Sequence, residues 1–388
     1  MIRIEDKSQC CGCSACMQRC PKQCISMEED DEGFLYPIVN KEQCVNCGLC
    51  EKVCPVINQE NPRTPLKVYA AENVDETIRR SSSSGGIFTL LAEQTIKDGG
   101  VVFGACWDED WNVAHSYAEC VEDLSMFRSS KYLQSRIGDS YKQAEKFLKA
   151  GRKVMFTGTP CQIAGLKHFL RKEYDNLLAV DVVCHSVPSP GVWQQYLSEK
   201  LQSLKWKKQN VRHISFRDKS TGWKNYSFLI EDKDGSVYSE LGSKNLFMRG
   251  FLADLYTRPS CHACPAKELK SGSDMTLGDF WGIESLKPEI DDDKGVSAVT
   301  VNTEKGREVL LNIGVELHEA TYDELTKRNS AMVRSASLNR KRVEFFLEGE
   351  QSLNDKVKKL AKDSFSLRII LSKIVHKLIS CVISLDGR

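Results

Sequence analysis

The chain has 388 residues, and 54 Lys and Arg against 53 Asp and Glu leave a net charge of +1. That length exceeds what one hydrophobic core supports, so two or three domains are expected. The 41% hydrophobic and 28% charged fractions exclude a disordered or collagen-like chain, and the charge balance carries no footprint of nucleic-acid binding. The anomaly is 17 cysteines, odd in number and too sparse for a small secreted disulfide scaffold. The opening MIRIEDKSQCC has no apolar signal core, which points to a reducing, cytoplasmic setting where cysteines serve metals, catalysis or burial.

Residues 1–60 hold ten of the cysteines and read as a separate small domain. Cys10, Cys13, Cys16, Cys20 and Pro21 recur 34 residues later as Cys44, Cys47, Cys50, Cys54 and Pro55, a duplicated unit. Each copy reads C-x2-C-x2-C-x3-C-P, the spacing of a bacterial two-cluster ferredoxin. Three closely spaced thiolates wrap one iron–sulfide cube, and the fourth is directed to the cube of the other copy. Cys10, Cys13, Cys16 and Cys54 are therefore assigned to one 4Fe-4S cluster, and Cys44, Cys47, Cys50 and Cys20 to the other. Structural zinc, which usually takes two separated C-x2-C pairs, is the weaker fit. Cys11 and Cys24 lie outside the pattern and read as bystanders.

Asn58 to Pro65 is a polar linker with two prolines, and beyond it the pattern turns mixed α and β. Val68–Ala71 reads as a strand and Ile87–Lys97 as a helix. Val101–Trp107 and Val113–Ala118 read as strands flanking a polar turn. Lys153–Phe156 leads through Thr157–Pro160 into a helix ending near Arg171, followed by a strand at Leu177–Val183; this is a parallel crossover. From Pro188 the signals become antiparallel, with strands at Ile214–Arg217 and Tyr226–Glu231 and a hairpin turn at Lys233–Ser236. The fold class expected is mixed α/β (α+β): a small ferredoxin domain (1–60), a mixed body divided into 66–187 and 188–330, and a basic helical tail (331–388).

Four further cysteines fall at meaningful places. Cys161 and Cys184 follow strands whose ends converge on one sheet edge, where ligands usually bind. Cys261 and Cys264 form a C-x2-C-P half-motif that suits a cluster, a zinc knuckle or a surface pair equally well. Four thiolates can meet there, with His185 or His262 as substitutes for one. Cys106, Cys120 and Cys381 have apolar neighbours and read as buried small hydrophobes. Ser81–Gly86 precedes a helix, a setting for a phosphate or simply for a flexible N-cap loop. Thr157, Gly158 and Thr159 make a second such turn. Neither matches a dinucleotide fingerprint or a P-loop.

Together SSSSGGIFTLL (81–91), SSKY (129–132), GTPCQIAGLK (158–167), CHSVPSP (184–190), CHACP (261–265) and DMTLGDFWG (274–282) resemble the coenzyme F420-reducing hydrogenase and dehydrogenase beta subunits, in family order. The resemblance implies an FAD-binding body with a third 4Fe-4S cluster on Cys161, Cys184, Cys261 and Cys264. It implies flavin contacts from Ser83, Ser84, Gly85, Gly86, Ser130, Lys131, Thr157, Gly158 and Thr159. Lys131 and Asp279 become the candidate catalytic residues, Lys131 toward the flavin and Asp279 toward a substrate or a cluster-bearing loop. The expected function is an iron–sulfur flavoprotein oxidoreductase that exchanges electrons with a ferredoxin or partner subunit. Its substrate would be coenzyme F420 or another small reducible compound, since CHSVPSP departs from the hydrogenase-type members. The alternative is a non-catalytic iron–sulfur relay whose partner holds the substrate site. Leu367–Leu385 is a basic amphipathic pattern whose apolar face could dock on the body or, through 364–388, lie on an anionic inner membrane surface.

Overall fold

The computed structural model describes residues 1–347 and 351–361. In the head, β1 (Ile25–Glu29) and β2 (Leu35–Val39) pair antiparallel. The short helices Ala15–Arg19 and Leu49–Lys52 close the two cysteine-bearing loops.

The body is built on β3 (Lys67–Ala71), β4 (Val101–Trp107), β5 (Val113–Ala118), β6 (Val154–Gly158), β7 (Leu177–Val182), β8 (Val211–Asp218), β9 (Ser227–Asp232), β10 (Val237–Leu241), β11 (Met275–Asp279), β12 (Ser297–Val301) and β13 (Leu317–Ala320). Eight strands form one sheet in the order β13-β3-β12-β11-β7-β6-β4-β5, and β8 to β10 form a small antiparallel sheet. Strands β4, β6, β7 and β11 run parallel, so their C-terminal ends share one edge. The β6–helix–β7 crossover agrees with the pattern read from the sequence, its helix being Pro160–Leu170.

Alternate residues of each central strand face opposite layers. Val101, Phe103, Phe156 and Ala179 pack beneath the helices Ser140–Lys149 and Pro160–Leu170. Val102, Met155, Leu178 and Val180 pack against Ile87–Lys97 and Leu310. The small sheet has its own aromatic core around Trp193, Phe216, Phe228 and Phe247, which the helix Leu353–Leu360 also joins.

Three features differ from the sequence pattern. Strands β11 and β12 lie on the far side of 187/188 in sequence yet occupy the middle of the large sheet, so that division runs through the sheet. The head is not detached: Cys11, Cys13, Ala15 and Val53 sit in the same core as Phe103, Phe156 and Ile163. A segment of this size buries too little surface by itself, and its apolar side chains complete their burial against the body. The expected linker is also held, with Arg63 donating to the carbonyls of Leu269 and Ser273. Among the smaller expectations, Cys106 is buried. Cys120 is not; its thiol donates to Asp123 at 3.1 Å in an exposed turn. Among the described residues no helix is long and apolar enough to cross a membrane. Cys381 and the amphipathic run Leu367–Leu385 lie outside the described residues.

Candidate functional site

The duplication in the head extends to the backbone. Gly12 and Asn46, and likewise Ser14 and Gly48, are equivalent positions of the two copies, and all four have positive φ, between 53° and 71°. Alternating left-handed residues coil each C-x2-C-x2-C loop so that thiols and amides turn inward, an arrangement that suits a sulfur-rich anion. The Gly12 amide donates to Cys10 Sγ at 3.4 Å and the Ile2 amide to Cys50 Sγ at 3.2 Å.

The head thiols lie in two groups. Burial, together with Cys10 and Cys54, pushes Cys16 up to about 12. Burial also raises Cys54, which lies beside Cys10 although it ends the second copy. Cys20, Cys44, Cys47 and Cys50 line a second cavity of about 350 Å³. Cys24, expected to be a bystander, lines it too, with its sulfur 3.4 Å from that of Cys20. Thiols held at such pKa values stay protonated at neutral pH, and iron is what would take the place of those protons.

The edge of the large sheet carries a third cage. Cys161 sits in the first turn of Pro160–Leu170, where Thr159 and Gln162 form a capping box. Cys184 follows β7, and Cys261 and Cys264 come from the loop before β11. All four line one cavity of about 400 Å³. Each lies near the others; burial, with Cys161 and Cys264 nearby, pushes Cys184 up to about 12. Among the described residues, the same cavity is lined by Ser186 and Ser260, whose buried hydroxyls have no hydrogen-bond partner, and by Lys267 and Arg258, but by no carboxylate. Four thiols and two unsatisfied hydroxyls are the donor set a cluster's irons and sulfides require, so the residues fit such a group. His185 lines the wall but its Nε2 is engaged by Asp254 at 2.9 Å, and His262 bonds Thr257 outside the cavity. Neither replaces a thiol.

Cys11 joins the cages. It lines the third cavity and its thiol contacts both Cys13 of the first cage and Cys161 of the third. The close approach depends on Gly165, where a Cβ would lie 2.8 Å from Cys13 Cβ and 2.9 Å from Tyr141 Oη.

The serine and glycine loops behave differently. Ser83 and Ser130 do meet, at 2.8 Å between hydroxyls. Ser84, however, donates to the Val296 carbonyl, and the Gly85 amide donates to Ser297 Oγ. A side chain at Gly85 would strike the Ala71 carbonyl at 2.5 Å, and Gly86 has φ 84° at the start of the helix. Thr157 donates to the Phe103 carbonyl, Gly158 packs on Gln162, and Thr159 caps its helix. These groups therefore already serve the fold.

Lys131 and Asp279 lie nearby in contrasting states. Among the described residues, Lys131 Nζ donates to the carbonyls of Arg128 and Ser129, and burial lowers its pKa to about 8. Asp279 ends β11 in a buried pair with Arg217 at 3.2 Å and also accepts from Trp223 Nε1. Arg217 Nε and Ser129 Oγ are buried with no hydrogen-bond partner among the described residues, which leaves two polar groups available to a guest.

Comparison with known proteins adds two family models, each matching one part of the chain. Residues 9–58 match the 4Fe-4S dicluster domain, and residues 151–325 match the C terminus of the coenzyme F420 hydrogenase/dehydrogenase beta subunit. Over residues 151–325 the chain is therefore similar to the C terminus of the coenzyme F420 hydrogenase/dehydrogenase beta subunit. The dicluster match supports iron–sulfur clusters in the head. One similar solved chain comes from the F420-reducing NiFe hydrogenase complex of Methanosarcina barkeri: 17% identity, covering 77% of this chain and 93% of that one, with a TM-score of 0.46. No curated protein matches.

Cysteine spacing points to the two thiol groups of the head. It did not reveal Cys11, Arg258, Lys267, Ser186 or Ser260, because each acquires its place only by packing between elements far apart in sequence.

Proposed function

We propose that this protein is an iron–sulfur flavoprotein oxidoreductase. It would pass electrons between a ferredoxin or partner subunit, three 4Fe-4S clusters and FAD, and on to or from a small organic compound of the coenzyme F420 type. The observation that carries this reading is the third cage: four thiols from three separate segments line one cavity at the sheet edge and touch the head through Cys11. A cluster there would supply one-electron chemistry beside the C-terminal ends of the parallel strands, where ligands of open α/β sheets are held.

The flavin is supported by the group around Lys131. Ser83, Ser130, Lys131 and the Arg217–Asp279 pair surround the two unpartnered polar atoms. A buried ammonium hydrogen-bonded to carbonyls and to no carboxylate among the described residues favours a guest carrying negative charge. Asp279 would act by holding Arg217 toward that guest, since both its oxygens are already hydrogen-bonded.

The relay alternative is favoured by one observation, the internal engagement of Ser84, Gly85 and Thr159, which leaves few loop donors for a flavin phosphate. Anaerobic purification followed by iron, acid-labile sulfide and flavin assays tests both. Iron and sulfide near twelve per chain, roughly three cubes, together with FAD support the proposal; iron and sulfide without FAD make the protein a relay; colourless protein without sulfide defeats both. For Lys131, unchanged flavin content and potential in Lys131→Ala would remove its role.

A further inference from the structure

Arg258 is fully buried, yet among the described residues it enters no ion pair. Nε donates to the Cys10 carbonyl at 2.7 Å, one terminal nitrogen to Gln134 Oε1 at 2.7 Å and the other to the Leu35 carbonyl at 2.8 Å. The guanidinium also lies 4.3 Å from the ring centre of Tyr36 and 5.3 Å from that of Phe34. Every one of these partners is uncharged. Placing a cation in a buried site is costly unless a negative charge faces it.

The place of this cation is informative. Cys10 belongs to the first cage and Cys11 bridges to the third, and Arg258 lies within electrostatic reach of Cys10, Cys11 and Cys261. It also lines the third cavity itself. Lys267, which also lines that cavity, repeats the pattern. It is buried, and its ammonium donates to the carbonyls of Cys184 and Ala331 at 2.6 Å each, again with no carboxylate. The second head cavity is remote from both, lined instead by Met1, Lys22 and Val45.

Taking the cluster assignment above as given, we propose that Arg258 is the shared counter-cation of the first and third cages, and Lys267 a counter-cation of the third alone. An iron–sulfur cube held by four thiolates is an anion that gains one negative charge on reduction. A fixed buried cation favours the reduced state and raises the potential of whichever cluster it faces. Arg258 would hold two adjacent clusters at matched potentials across the head–body seam, and the second head cluster would stay lower or higher on its own terms. Both are positioning residues in this role, since neither ligates iron.

Potentiometric titration followed by electron paramagnetic resonance, on the anaerobically loaded full chain, tests it. Signals are assigned by the loss of one signal in Cys44→Ser and another in Cys161→Ser. Arg258→Met should shift the reduction equilibrium of two clusters against reduction by about tenfold or more, about 59 mV for a one-electron couple. The Cys44-containing cluster should not move. Lys267→Met should shift the Cys161-containing cluster alone, and Arg258→Lys should restore most of the wild-type values. Where Arg258→Met fails to take up metal, Arg258→Gln, which retains donors for the carbonyls of Cys10 and Leu35, should give the same shift. Full iron and sulfide with unmoved potentials in the neutral variants, or a shift confined to one cluster in Arg258→Met, overturns the inference. A wild-type chain that takes up no iron and sulfide instead overturns the cluster assignment on which it rests.

Discussion

The two copies of the cysteine motif share spacing, prolines and left-handed turns, yet they sit in opposite surroundings. In the first, Cys11, Cys13 and Ala15 are buried in the body's core. In the second, the equivalent stretch is open: Val45, which corresponds to Cys11, is 58% exposed, and Cys47 is exposed where Cys13 is buried. The repeat therefore fixes how a cluster is held, while packing decides which cluster faces the body and which faces solvent. A duplicated unit thereby gains a direction, with one end open to a partner and the other closed onto the third cage.

The contrast can be broken most severely where the body clamps the head. Arg342 pairs bidentately with Glu32, nearly buried, and also donates to the Thr257 carbonyl next to Arg258. Arg342→Ala should cost about 3 kcal/mol, as removal of one partner of a buried pair does. Urea unfolding of the loaded protein checks this, and an unchanged midpoint would show the head to be held elsewhere.

Acid should loosen the platform under the first copy. Buried His115 donates from Nε2 to the Thr157 carbonyl, so Nδ1 is the acceptor for Ser135, which Gln162 also contacts. Burial lowers its pKa from 6.5 to about 4. A histidine depressed in the folded state favours the neutral form, so its contribution is whole above pH 6.5 and is lost as pH falls toward 4. At about 1.4 kcal/mol per unit, the loss reaches roughly 3 kcal/mol. Denaturation midpoints for wild type and His115→Gln at pH 7 and pH 4.5 should converge on acidification; parallel curves would contradict the assignment.

Crowding the contact should have an intermediate effect. Gly165→Ala places a methyl against Cys13 and Tyr141, an overpacking cost of about 1–3 kcal/mol. The first-cage signal should weaken while the Cys44-containing cluster is retained. Equal loss of both signals would mean that the copies are not independently housed. At the mild end, Val45→Ser in the open copy should change stability by less than about 0.5 kcal/mol. A larger effect would show that the second copy is covered in solution.

Much of the fold was legible. The strands at Val101–Trp107 and Val113–Ala118 and the helix at Ile87–Lys97 have the bounds their local pattern gives, because glycine pairs and polar turns close each run. The division at 187/188 was misleading because β11 and β12 pair with strands far away in sequence, and local alternation does not record a partner. The Ser-Gly loop reads as free in sequence because its donors have no local partner; Val296 accepts from the Ser84 hydroxyl and Ser297 from the Gly85 amide, each more than two hundred residues later.

Amino-acid order alone determined the two head cages, since eight thiolates at fixed spacing leave a chain few other ways to satisfy them. Folding decided everything that depends on distance through space. It brought Cys161, Cys184, Cys261 and Cys264 to one cavity, set Cys11 between two cages, and left Arg258 and Lys267 buried beside thiols rather than carboxylates. The physical reason is that a buried charge or thiol takes its properties from whatever packs around it, and those neighbours come from every part of the chain.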